Sequence, residues 1–114
     1  MMKKIAILTC LKSISSVCTG ASCFSAVNER RGAFAEYENE DINVVAFFQC
    51  NGCNSSYCSD AGMIEKVERI IKIKPDVVHI GKCVKKVNGI YCDNIKSIIS
   101  ELEKNHIKCV DGTH

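Results

Sequence analysis

The chain has 114 residues, 46% of them apolar and 25% charged, with a formal net charge of +2. That length suits one domain, 1–114, with its own hydrophobic core, and is too short for two ordinary ones. The balanced, interspersed charge excludes a dedicated nucleic-acid or membrane surface, and few aromatic residues with no Trp argue against a base-stacking platform.

The first predicted element is Lys4 to Cys10, KIAILTC, a short and nearly continuous apolar run. It fits a strand buried on both faces. The apolar stretch from Ile5 to Leu8 is too short for the core of a signal peptide, and nothing approaches the length of a membrane span. A short helix is expected from about Cys23 to Arg31, ending at Gly32. Asn43 to Gln49 is the second strand. Met63, Ile64, Val67, Ile70 and Ile71 then recur at helical spacing, with Ser59 or Asp60 as cap and Pro75 beyond the end. Asp76 to Gly81 is the third strand. Ile95, Ile98, Ile99 and Leu102 form the stripe of a last helix, capped by Asp93 or Asn94. Lys108 to Val110 is a weaker fourth strand.

The order is β-α-β-α-β-α-β. It predicts an α/β fold, a single open parallel sheet of about four strands with helices on both faces, of flavodoxin-like or Rossmann-like type. Sites in such sheets form beyond the carboxyl ends of the strands.

Nine cysteines fall on this frame. An odd number and no signal peptide point to a reducing, cytoplasmic setting, where clustered cysteines are metal ligands or redox groups more often than bridges. Cys10 ends the first strand, and Cys18 and Cys23 follow it. Cys50 ends the second strand, with Cys53 and Cys58 in the loop beyond. Cys83 lies past the third strand, and Cys92 precedes the last helix. Eight of the nine therefore gather where the fold builds its sites. His114 ends at the same edge and joins them as a candidate ligand, although a terminal residue is commonly frayed. Cys109, inside the fourth strand, is expected to be a small core thiol. His79 is expected to be a buried histidine with one hydrogen bond, and His106 a solvated residue at a helix end.

Thiolates are soft ligands that select zinc, Cu(I) or iron–sulfur clusters. Cys50-x-x-Cys53 lets two sulfurs reach one metal, although thioredoxin-like redox pairs share that spacing. The remaining spacings match neither common ferredoxin pattern nor a zinc finger.

Several stretches together resemble the CGGC-domain family over almost the whole length. They are the strand ending at Cys10, CTGASCFSAVNERRGAFAEY from Cys18 to Tyr37, FFQCNGC from Phe47 to Cys53, VVHIGKC from Val77 to Cys83, and the closing DGTH. The resemblance implies a metal-binding domain, for which zinc is suggested. The family's Cys-Gly-Gly-Cys stands here as Cys50-Asn51-Gly52-Cys53, and Asn tolerates the left-handed backbone that Gly supplies. The family's frequent Cys-Pro-His before the last helix is here Cys92-Asp93-Asn94, which keeps the cysteine and has no histidine. Asn28, Glu29 and Arg30 are open between a role beside the site, with Asn28 or Arg30 donating to sulfur or to a bound anion, and plain helix surface.

Three functions compete. The first is thiolate binding of an iron–sulfur cluster, for electron transfer or for cluster or metal handling with a redox partner protein, or of zinc in a regulatory or structural role. Eight clustered cysteines exceed the four ligands of one zinc site, which tilts the expectation toward a cluster. The second is a thiol-disulfide oxidoreductase using Cys50 and Cys53. A phosphatase-like loop needs Cys-x₅-Arg, which CLKSISS lacks. The third is a flavodoxin-like small-molecule binder, with the serines and threonines after the first strand on a phosphate. No acid–base pair is visible, so no enzyme class is assigned.

Overall fold

A computed structural model describes residues 3–10, 19–50, 60–81, 84, 86–87 and 90–113. Four strands, β1 (Lys3–Cys10), β2 (Ile42–Cys50), β3 (Val77–Ile80) and β6 (Lys108–Asp111), form one sheet. Its order is β2-β1-β3-β6 and every pairing is parallel. Three helices cross over between them: α1 (Ala21–Glu29), α2 (Ala61–Ile73) and α3 (Asp93–Lys104). The open α/β fold with its alternating order is as expected. A two-residue antiparallel pair, β4 (Lys86–Val87) with β5 (Ile90–Tyr91), lies between β3 and α3.

The burial of β1 explains its composition. Ile5, Ala6, Ile7 and Leu8 are all fully buried, because β1 is flanked by β2 and β3 and covered on both faces. One face carries Ala6, Leu8 and Cys10 and packs against Met63, Val67 and Ile70 of α2 and Ile95, Ile98 and Leu102 of α3. The other carries Ile5 and Ile7 and packs against Cys23, Ala26 and Val27 of α1 and against Phe34 and Tyr37. The chain leaves β1 for β2 on one side and returns for β3 on the other. The order therefore reverses between β1 and β3, the crevice where doubly wound sheets take their ligands.

The helix ends depart from expectation in two places. α1 stops at Glu29, and Arg30 rather than a glycine takes the left-handed position, with φ 55°. Its guanidinium offsets that strain by donating to three carbonyls, those of Val27 at 2.6 Å, Tyr37 at 3.1 Å and Glu40 at 3.2 Å. Gly32 instead opens a 3₁₀ segment, Gly32–Tyr37, that the sequence pattern does not announce. The cap of α3 is Cys92, not Asp93 or Asn94, both of which lie within the helix. The cap of α2 is Asp60, whose carboxylate accepts from the Met63 N–H at 3.0 Å.

Candidate functional site

Of the candidate ligands, Cys10, Cys23, Cys50 and Cys92 are described, all as thiols. Cys18, Cys53, Cys58, Cys83 and His114 lie outside the described residues. A crossover helix starts at the edge where its preceding strand ends. That places Cys23, in the first turn of α1, and Cys92, at the cap of α3, at the carboxyl edge with Cys10 and Cys50.

Cys10 and Cys50 are directly paired in the ladder. Both are buried, at 6% and 1% exposure, and both face the α2/α3 side. This pairing depends on an irregularity that the sequence pattern hides. Lys3, Lys4 and Ile5 pair with Ile42, Asn43 and Val44, and then Ala6 pairs with Ala46, so that Val45 is an extra residue in β2. Successive strand residues alternate faces, and one inserted residue reverses the alternation. Ile42 and Val44 accordingly pack on the α1 side, whereas Ala46, Phe48 and Cys50 face α2 and α3. With no bulge, Gln49 would stand opposite Cys10 and Cys50 would point to the other face. Near the strand ends, Thr9 Oγ1 reaches the Phe48 carbonyl at 3.5 Å, and the Gly81 N–H donates to the Leu8 carbonyl at 2.7 Å.

Cys92 is half-buried and packs against the same core as Cys10 and Cys50. Cys23 packs on the opposite face, among Ile5, Ile7, Phe34 and Tyr37, and its S–H donates to Thr113 Oγ1 at 3.7 Å. Cys109 is in register with Val78, which is itself paired with Ala6. It therefore lies within the outer strand β6 rather than at the carboxyl ends of the strands. Burial first, then Glu103, pushes its thiol up to about 12, as befits a core group. Among the described residues, no three His, Cys, Asp or Glu side chains are grouped to hold a metal.

His79 makes two hydrogen bonds rather than the expected one. Its Nδ1 lies 2.9 Å from the Gly112 carbonyl, which can only accept, so Nδ1 carries the proton. Nε2 then accepts from the Tyr37 hydroxyl at 2.8 Å. Desolvation by burial lowers the His79 pKa and keeps the ring neutral. Phe34 lies against it, with ring centroids 4.4 Å apart. The closing Asp-Gly-Thr is fastened at several points. The Gly112 N–H donates to the Ile80 carbonyl at 2.8 Å, and the Ala33 N–H donates to the Thr113 carbonyl at 2.9 Å. Gly112 has φ 107°, a conformation that explains the glycine there. His79, Tyr37 and Gly112 thus form one hydrogen-bonded group on the α1 side, joined to the Cys23–Thr113 pair through the Gly112–Thr113 peptide. Arg30 serves the backbone through its three carbonyl contacts, Glu29 pairs with Arg31 at 3.1 Å, and Asn28 is exposed. His106 is an exposed residue past the end of α3, with φ 64°.

Fold and edge together define a doubly wound parallel α/β protein with cysteines at the strands' carboxyl ends. The CGGC domain model matches residues 4–114, and the chain belongs to the CGGC domain family. An uncharacterized protein of the archaeon Methanocaldococcus jannaschii is 34% identical, over 97% of this chain and 86% of the relative. No solved structure matches. Among the described residues no helix is long and apolar enough to cross a membrane.

Proposed function

We propose that the protein binds metal through thiolates at the carboxyl edge of the sheet. Cys10 and Cys50 are the central ligands and Cys92 stands on the same side. Cys18, Cys53, Cys58, Cys83 and His114 are the further candidates, and Cys23, whose thiol donates to Thr113 on the opposite face, stands apart from them. The observation that supports this is the register pairing of Cys10 with Cys50, facing the same way at the carboxyl ends of β1 and β2. Two buried thiolates would repel each other and pay heavily for desolvation with no cation between them. As neutral thiols they pack as small apolar groups, and metal binding would replace two protons with one charge-compensated centre.

A donor set dominated by sulfur fits zinc or an iron–sulfur cluster. The cysteine count exceeds the needs of one zinc ion, so a cluster is the leading assignment and zinc the alternative. A bound cluster would supply one-electron transfer; the chain's own part is to fix the sulfurs on rigid strand ends and keep water away from them. The test is a visible spectrum with iron, zinc and acid-labile sulfide analysis on protein purified without oxygen. Brown protein with iron and sulfide establishes a cluster, and colourless protein with stoichiometric zinc a zinc site. Folded, metal-free protein would overturn the proposal.

A further inference from the structure

We propose that Cys10 and Cys50 form a reversible disulfide across the ends of β1 and β2, exchanged with small-molecule disulfides. Three observations carry it. The two residues are paired in the ladder and face the same side of the sheet. Neighbouring parallel strands lie about 4.8 Å apart, within the span of roughly 4.4–6.8 Å that separates bridged Cα atoms. Each residue also stands at the carboxyl end of its strand, β1 (Lys3–Cys10) and β2 (Ile42–Cys50). Among the described cysteines this match is unique. Cys109 pairs with Val78 within β6, Cys23 packs on the other face, and Cys92 caps a helix.

The chemistry balances with a disulfide RS–SR as oxidant. One protein thiolate attacks RS–SR, forming a mixed disulfide and releasing RS⁻. The second thiolate attacks the mixed disulfide at the protein sulfur and releases another RS⁻. The two protons lost by the cysteines end on the two RSH formed, and the protein pair is oxidised by two electrons. The consequence for metal, that oxidation removes two central ligands together, rests on the proposed thiolate site.

The test uses the full chain, reduced and stripped of metal, incubated with oxidised glutathione, alkylated and digested under non-reducing conditions. The expected product is a cross-link from the Cys10 peptide to the peptide containing Cys50. It should vanish in Cys50→Ser, persist in Cys53→Ser and Cys58→Ser, and reverse with dithiothreitol. Complete alkylation of Cys10, or a cross-link that survives Cys50→Ser, overturns the proposal. Metal analysis of the untreated protein separates the two ideas. A cross-link in a protein that never carries iron or zinc sinks only the metal reading. Loaded metal with no cross-link sinks only the disulfide.

Discussion

At the scale of single residues, the most constrained group is His79, which is fully buried. Its matched partners, Tyr37 on one ring nitrogen and Gly112 on the other, explain why the stretches VVHIGKC, AFAEY and DGTH belong together. The sequence marks each stretch separately, but nothing in its spacing says that a hydroxyl, an imidazole and a backbone carbonyl meet. Tyr37→Phe leaves Nε2 without its donor in a dry site and should destabilise the protein by about 1–3 kcal/mol, measured by urea denaturation. The ring also sets a pH dependence. Its folded pKa is lowered, chiefly by burial, with Gly112 and Glu36 opposing and Lys108 adding. The unfolded ring takes a proton near its ordinary value of about 6.5 while the folded ring does not. The stability it contributes is therefore complete above that pH and declines as pH falls below it toward the folded value. Ring-nitrogen NMR should show His79 still neutral, with the proton on Nδ1, at a pH just below the ordinary histidine value of about 6.5. A charged His79 there would contradict the network.

At the scale of elements, the alternation of buried strands with amphipathic helices was legible, because β1 and β3 lie inside the sheet and read as unbroken apolar runs. The same quality concealed the bulge. In INVVAFFQC the central run VVAFF is apolar on both faces, so the reversal of alternation at Val45 leaves no trace in the pattern. The 3₁₀ segment escaped for a different reason: it is fixed by bonds that its own pattern does not announce, Arg30 to the Tyr37 carbonyl and, from far along the chain, Ala33 to Thr113. The bulge predicts an asymmetry. Deleting Val45 makes β2 regular while leaving Cys50 opposite Cys10, so the Cys10 cross-link and any metal content should survive. Inserting one alanine after Val45 leaves two extra residues to accommodate or turns Phe48 and Cys50 to the α1 side, and both readouts should fall. Equal effects of the two changes would mean that the register does not govern the pair. At the cap of α2, Asp60→Ala removes the acceptor for Met63 N–H and should cost about 1 kcal/mol, read from the denaturation midpoint at unchanged slope.

At the scale of the whole molecule, the sheet divides the cysteines that the linear sequence groups together. The placement of Cys10, Cys23, Cys50 and Cys92 at one edge follows from topology and was legible from the strand ends alone. Which face each thiol takes was not, since that depends on the bulge in β2 and on which side each crossover helix packs. Cys10, Cys50 and Cys92 belong to the α2/α3 side, while Cys23 belongs to the network of His79, Tyr37 and Thr113. The two groups should respond differently to the same substitution. Serine keeps a donor for Thr113 and nearly the volume of cysteine, so Cys23→Ser should retain the metal content of the wild-type protein and shift its stability only slightly. Cys10→Ser and Cys50→Ser replace a soft ligand with a hard hydroxyl in the buried pair, and each should release most of the metal from protein that remains folded by circular dichroism. The comparison needs iron, zinc and sulfide measured per folded chain for all three variants purified side by side without oxygen. Loss of metal from Cys23→Ser equal to that from Cys50→Ser would place Cys23 among the ligands and require the metal to be reached from both faces of the sheet edge.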